Sequence, residues 1–203
     1  LFPAMRTLFG ALSASTSRGP VPLDVGLAAH LFEAHRRGVL VLWRTAPPDT
    51  PTTTFSLPLA GSPTLITLDG TESPLTPSGP RTTQATQNYA LTLGTQPVIV
   101  DGVDANLLRL MGSVSIDNAV FESSLIPHGR TVSISNPSPH AISGLMRFKP
   151  PEGWSISPPT RSFSLNPGET IRVPVSIEFP VSSHAGERTL GVELLLQAQG
   201  EAR

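Results

Sequence analysis

Carboxylates and imidazoles are the side chains that could carry chemistry here, and the sequence contains 15 Asp and Glu residues and five His. Hydrolysis of a sugar–sugar bond usually needs two carboxyl groups about 5–9.5 Å apart. Asp101 and Asp104 are a closely spaced candidate pair, but most of the acids lie in or beside turns. Aspartates in turns usually accept hydrogen bonds from their own backbone. We therefore interpret the acids as structural and predict no catalytic residues in this chain.

The histidines do not form a metal-binding pattern. They have neither the i, i+4 spacing of a helical site nor a cysteine partner, because the chain has no cysteine. The sequence also lacks a Gly-x-Ser-x-Gly elbow, a P-loop and a Gly-x-Gly-x-x-Gly turn. We predict no metal site and no cofactor. The five histidines are His30, His35, His128, His140 and His184.

Aromatic side chains are the remaining candidates for binding, because exposed rings stack on the apolar faces of sugars. Only 5% of the residues are aromatic, which weighs against a dedicated sugar-binding module. Trp154 follows Gly153 at a corner between a loop and a strand, and it is the one candidate carbohydrate contact. The alternative is that it packs against its own sheet. We expect Trp43 in the core and the Tyr89 hydroxyl at a rim.

The charge balance excludes several partners. The formal net charge is -1 and only 14% of the residues are charged, with Arg36 and Arg37 as the only adjacent basic pair. Nucleic-acid binding needs clustered Lys and Arg, so we predict none. No apolar stretch approaches the roughly 20 residues that span a bilayer, so we predict no membrane span. The absence of cysteine excludes disulfides.

The N-terminal segment has a helical period. Residues 1–17 are predicted to contain an amphipathic helix, whose apolar stripe consists of Phe2, Met5, Leu8, Phe9 and Leu12. A signal peptide is an alternative for residues 1–15, although the single charge, Arg6, lies inside a short apolar run. A helix of this length cannot bury the stripe alone, so its partner must be either the β modules of this chain or a missing upstream segment.

Short apolar runs separated by proline and glycine follow, a pattern typical of all-β folds. We predict two tandem antiparallel β-sandwiches after the helix, at residues 18–111 and 112–203. The run from Val39 to Trp43 is apolar on both faces, which indicates a central strand. About seven strands in the second half match the count of an immunoglobulin-like sandwich. Pro174 lies within the strand from Ile171 to Phe179 and predicts an edge or a bulge.

The second half carries a recognisable set of turns. They are Asn136-Pro-Ser, Pro151-Glu-Gly-Trp154, Leu165-Asn-Pro-Gly168-Glu, Phe179-Pro180 and Ala185-Gly186. This pattern resembles the immunoglobulin-like module that is associated with alpha-galactosidases and other secreted glycoside hydrolases. The resemblance covers about 90 residues. It implies an immunoglobulin-like sandwich in which the tryptophan packs on the sheet, and a secreted or periplasmic location.

The first half carries a different set of motifs. They are the helical segment from Pro3 to Leu12, Ala29-His-Leu-Phe32, Val39-Leu-Val-Leu-Trp43, Leu68-Asp-Gly70 and Thr95-Gln-Pro-Val-Ile-Val-Asp-Gly102. Together they resemble the β-sandwich that follows the catalytic barrel in many glycoside hydrolases. Asp69-Gly-Thr replaces the Asp-x-x-Gly-Asn turn that this family often has. The resemblance implies that an upstream barrel, absent from this chain, is the partner of the helix.

These observations lead to two hypotheses about function. The first is a non-catalytic accessory region of a glycoside hydrolase that stabilises or spaces an upstream catalytic barrel. The second is a module that binds polysaccharide or another protein outside the cytoplasm. Neither hypothesis makes this chain an enzyme by itself.

Overall fold

The computed structural model describes residues 2–34, 37–81, 86–123 and 126–197. Most of them lie in antiparallel strands, which confirms the predicted all-β fold. The chain forms two compact units, residues 1–112 and residues 113–203.

Unit 1 is a β-sandwich with two helices among its described residues. Its elements are α1 (Phe2–Leu12), β1 (Thr16–Pro20), β2 (Leu27–Ala34), β3 (Arg37–Arg44), β4 (Thr53–Leu59), β5 (Gly61–Ile66), β6 (Glu72–Pro74), β7 (Pro77–Arg81), β8 (Gln87–Leu93), β9 (Val98–Asp104) and α2 (Ala105–Gly112). One sheet has the order β1-β2-β3-β9-β5-β6, and the other has the order β4-β8-β7. Side chains from both sheets form the core, among them Leu31, Leu40, Leu57 and Leu93.

Strand β3 is central and covered on both faces, as its two-sided apolar pattern predicts. It lies between β2 and β9. Leu40 and Leu42 point into the core between the sheets. Val39 is equally inaccessible on the opposite face, where it packs with Ile99. A strand without polar side chains on either face needs a layer on each side.

Helix α1 supplies the second layer. Leu8 and Leu12 pack against Val39, Ile66 and Ile99 on the outer face of the six-stranded sheet. Of the two predicted partners, the modules of this chain therefore cover one side of the helix, and the upstream barrel that the resemblance implies stays a prediction. The other three residues of the predicted stripe are exposed. They are Phe2, Met5 and Phe9.

The predicted helical segment is also too long at its C-terminal end. Helix α1 stops at Leu12, where the carbonyl oxygen accepts hydrogen bonds from the Ser15 amide and hydroxyl. Ala14 adopts a positive φ of 58°, which an L residue can reach but a helix cannot continue through. Residues 16–20 then form β1, which pairs with β2.

Helix α2 was not anticipated from the sequence. It buries Ala105, Leu108 and Leu110. Asp104 immediately precedes it, and its Oδ1 accepts a hydrogen bond from the Leu107 amide at 3.0 Å. This is the contact of an N-cap aspartate, which satisfies one of the free amides in the first helical turn.

Unit 2 is a sandwich of seven strands among its described residues. They are β10 (Ser115–Ile116), β11 (His128–Ser135), β12 (Ile142–Lys149), β13 (Ser155–Ser157), β14 (Thr160–Leu165), β15 (Thr170–Glu178) and β16 (Gly191–Leu196). One sheet has the order β10-β11-β15-β13, and the other has the order β14-β12-β16. Both sheets contribute buried side chains, such as Ile134, Ile177, Met146 and Leu165.

One strand prediction in unit 2 is wrong, and a second holds only locally. The run from Val114 to Phe121 is a strand only at Ser115–Ile116, because the Asp117 and Asn118 carboxyl and amide oxygens accept backbone hydrogen bonds that turn the chain. Pro174 lies in β15, which has neighbours on both sides of the sheet. However, β13 reaches only as far as Ser176, so no strand of the described chain lies on the β13 side of the proline.

Candidate functional site

Trp154, the predicted carbohydrate contact, belongs to a cluster of four rings in unit 2. Its indole stacks on Phe179 with centroids 4.4 Å apart and an angle of 24° between the planes. Phe179 stacks in turn on His128 at 5.1 Å. Phe121 lies edge-on to all three rings, at 5.5–6.2 Å. These distances are those of favourable aromatic pairs, so the cluster stabilises unit 2.

Strand periodicity explains why the rings meet. Val132 and Ile134 point into the interior from β11, so His128, which is an even number of residues away, points the same way. Phe179 follows the buried Ile177 by two residues, and Trp154 precedes the buried Ile156 by two. All three rings therefore continue the inward faces of their strands.

The cluster leaves Trp154 little free surface. One indole face lies on Phe179 and one side meets Phe121, and the residue is half-buried. A sugar ring could stack only on the other face. This geometry favours the packing alternative that the sequence left open.

Polar groups around the cluster are mostly accounted for. The Arg130 guanidinium lies 4.8 Å from the centre of the Phe121 ring, a cation–π contact, and donates hydrogen bonds to the Asn118 and Val120 carbonyls. His128 Nε2 is a buried nitrogen without a hydrogen-bond partner among the described residues.

Asp101 and Asp104 have separate partners in unit 1. Asp104 caps helix α2, as described above. The Asp101 carboxylate faces Arg37, with Oδ1 2.9 Å from Nε. Asp101 Oδ1 is buried and accepts no hydrogen bond from the described residues. The Arg37 Nε–H is therefore close to this oxygen but does not point at it. The contact is therefore an ion pair held by charge more than by hydrogen-bond geometry.

An open groove of about 920 Å³ lies between α1 and the β5–β6 turn in unit 1. Sequence reasoning did not find it, because its residues come from four separate segments of the chain. Its lining includes Phe2, Arg6, Arg37, Asp69, Glu72 and Asp101. Phe2, which is 88% exposed, forms part of its rim.

Asp69 organises the turn that borders this groove. Its Oδ1 accepts hydrogen bonds from the Thr67 hydroxyl and from the Thr71 amide, the latter at 3.0 Å. The Thr67 hydroxyl, followed by the Thr71 amide, lowers the pKa of Asp69 below its ordinary value. The Asp-Gly-Thr turn therefore has a structural reason for its aspartate.

The other singled-out residues serve packing. Tyr89 is buried, and its hydroxyl lies 3.4 Å from Gln87 Oε1. Trp43, which we expected in the core, is half-buried. It alternates with the core residues Leu40 and Leu42 and therefore lies on the outer face of β3, the face that carries Val39. Its indole stacks on His30 at 5.9 Å.

Asn136 is the only buried polar residue among those that the structure describes, and it joins two of the turns that carry the resemblance. Its Nδ2 donates to the His140, Leu165 and Asn166 carbonyls at 2.8–3.1 Å. Its Oδ1 accepts from the Ser138 amide at 2.9 Å. Burial of this amide is tolerated because each of its polar atoms has partners.

No group of three or more potential metal ligands occurs in the described part of the chain. His35 lies outside the described residues. Of the two described helices, neither is long and apolar enough to cross a bilayer.

Comparison with known proteins adds no family. A scan against protein-family models and a search of curated proteins both returned no match.

Proposed function

We propose that this chain is a non-catalytic accessory region of a glycoside hydrolase, and that it stabilises or spaces an upstream catalytic barrel. The observation that carries the proposal is the uncovered side of α1. Phe2 is 88% exposed, Phe9 is 66% exposed and Met5 is 46% exposed. Large apolar side chains clustered at one surface usually mark a contact with another protein or domain.

The chemistry of the acids supports an accessory role. Asp101 is paired with Arg37, Asp104 caps a helix and Asp69 closes a turn. Glu33 accepts from Arg18 Nε at 2.7 Å, and Glu193 lies within 3.2 Å of both Arg147 and Lys149. Carboxylates used in this way are not held as a facing pair across a substrate.

The experiment compares two variants in the longer protein that contains the proposed barrel. The double variant Phe2→Ser, Phe9→Ser should lower the unfolding temperature of the catalytic domain, because it removes the apolar contact. Val25→Ser is the matched control, since Val25 is also an exposed apolar residue of unit 1 at 69% exposure. Equal effects of the two changes, or an upstream sequence without alternating strands and helices, would contradict the proposal.

A second candidate function is binding of polysaccharide, and the groove beside α1 favours it. The groove combines an exposed ring, Phe2, with the charged side chains of Arg6 and Glu72. Sugar sites use this combination of a ring and polar groups. Affinity electrophoresis tests it, since a chain that binds polysaccharide migrates more slowly in a gel that contains it. Glu72→Ala should restore the normal mobility, whereas Trp154→Phe should leave the chain retarded. The opposite result would move the site to Trp154, the residue that the sequence singled out.

A further inference from the structure

Strand β16 is incompletely buried for a strand of a sandwich. All six of its residues are only half-buried, although four of them are Val or Leu. Its neighbour β12 contains Met146 and Phe148, which are 0% and 4% exposed. The difference indicates that the opposite sheet and a neighbouring strand shield β12 more completely than they shield β16.

Three of the half-buried apolar side chains of β16 lie on the inward face of the sheet. Leu194 lies opposite Met146, Val192 opposite Phe148 and Leu196 opposite Gly144. Residues that face each other across antiparallel strands share one side of the sheet. Since Met146 and Phe148 point into the sandwich, the partly exposed Val192, Leu194 and Leu196 do so as well.

The same three residues have backbone groups directed away from β12. The Gln197 amide donates to the Ser143 carbonyl at 2.9 Å. Amides alternate in direction along a strand, so residues 193 and 195 also bond to β12, and residues 192, 194 and 196 face outward. No other strand of the described residues pairs on that outer side.

Among the described residues of unit 2, the two sheets differ by one strand, and the gap is at this edge. The sheet with β11 has four strands, whereas the sheet with β12 has three. Strands β13 and β14 are joined by only Pro158 and Pro159, so they occupy neighbouring edges of the two sheets. The position without a strand is therefore beside β16, at the opposite edge.

We propose that β16 pairs with β16 of a second copy of this chain, antiparallel and centred on Leu194. Leu194 then faces Leu194 of the partner subunit, and Val192 faces Leu196 of the partner subunit. Glu193 faces Leu195 of the partner subunit, so no like charges meet. The pairing satisfies the outward backbone groups of β16 and joins the two three-stranded sheets into one of six.

Charge on neighbouring strands does not oppose this pairing. Glu193 lies 3.1 Å from Arg147 and 3.2 Å from Lys149, both on β12 of its own sheet. Its charge is therefore balanced before a second copy arrives. The edge also lacks the inward charges and the proline that proteins commonly place on an edge strand to prevent pairing.

Light scattering coupled to size exclusion tests the proposal on the 203-residue chain. We expect a mass of twice 21.4 kDa, which falls to the monomer value at high dilution. Leu194→Lys places a charge on the inward side of the edge and should give a monomer at all concentrations. Leu195→Lys is the matched control on the outward face, and it should remain a dimer.

A second measurement covers the case in which Leu194→Lys fails to fold. Hydrogen exchange followed by NMR should show protected amides at Val192, Leu194 and Leu196 in concentrated wild-type protein, and loss of that protection on dilution. A monomeric wild-type chain at its highest soluble concentration would overturn the proposal. A folded Leu194→Lys variant that still forms the dimer would do so too.

Discussion

Trp154 and Phe179 lie face to face, 4.4 Å apart, although 25 residues separate them in the sequence. The contact joins the start of β13 to the end of β15, and Phe121 and His128 complete the cluster. A residue that the sequence offered as a binding platform is thus packed, half-buried, in a ring cluster of unit 2.

Phe179→Ala should destabilise unit 2 by about 2–3 kcal/mol, below the range for fully buried aromatics, because both rings are half-buried. Denaturant unfolding followed by Trp154 fluorescence in a Trp43→Phe background measures it, since each unit contains one tryptophan. Val181→Ala, at a residue that is 54% exposed, should change the free energy of unfolding by less than about 0.5 kcal/mol. Equal losses for the two variants would show that the ring stack does not stabilise the unit.

Gly144→Ala should disrupt the pairing of β12 with β16. A Cβ at residue 144 would lie 2.4 Å from the Leu195 carbonyl oxygen, so the backbone must shift. We expect a loss of about 2–3 kcal/mol, as for other overpacked sites. Gly129→Ala in β11 is the control, because a Cβ there meets nothing within 4 Å. Thermal unfolding of the two variants should differ clearly; similar midpoints would mean that β16 adjusts without cost.

Asp104→Ala should lower the stability of unit 1 by about 1 kcal/mol, because the Leu107 amide loses its acceptor at the start of α2. Asp104→Asn keeps an oxygen in place and should retain most of the stability. Trp43 fluorescence in a Trp154→Phe background reports the unfolding of unit 1. If alanine and asparagine behave alike, the aspartate does not act as a cap.

Asp69 should make the acid stability of unit 1 depend on pH. Hydrogen bonds from Thr67 and Thr71 lower the folded pKa below the ordinary value of 3.8. The unfolded chain therefore takes up the proton first, and the stabilisation present above pH 3.8 is lost as the pH falls through the lower folded pKa. Asp69→Asn should flatten that part of the stability curve.

A crossed control separates this effect from general acid unfolding. The pKa of Asp117 in unit 2 is also lowered, chiefly by a hydrogen bond from the Thr131 backbone. Asp117→Asn should weaken the pH dependence of the stability of unit 2 in acid, which Trp154 fluorescence reports. The pH dependence for unit 1, which Trp43 reports, should not change. Asp69→Asn should do the reverse, and a change in both signals from either variant would contradict the assignment.

Much of the fold could be predicted from the sequence because its strands are long and regular. The alternation through Val173, Val175 and Ile177 identifies both the strand and its buried face, and the structure buries all three. Helix α2 escaped prediction because it has only eight residues and follows a strand without a break. Its clearest signal was Asp104, which was interpreted as a turn residue and not as a cap.

The candidate site was less predictable, since it depends on groups far apart in the chain. The groove beside α1 brings Arg6, Asp69 and Asp101 together, and no local pattern announces that. The stack of Trp43 on His30 likewise depends on the pairing of β3 with β2.

By itself, the sequence determined what depends on neighbouring residues: the all-β class, most strands and, where the alternation is regular as in β15, the inward face, because side chains alternate every two residues along a strand. It also determined the absence of disulfides, since the chain has no cysteine. Tertiary structure alone decided which strands became neighbours, that α1 covers its own sheet, that Trp154 lies on Phe179 and that β16 ends a sheet. These outcomes depend on pairing between distant segments, whose free energy no local pattern encodes.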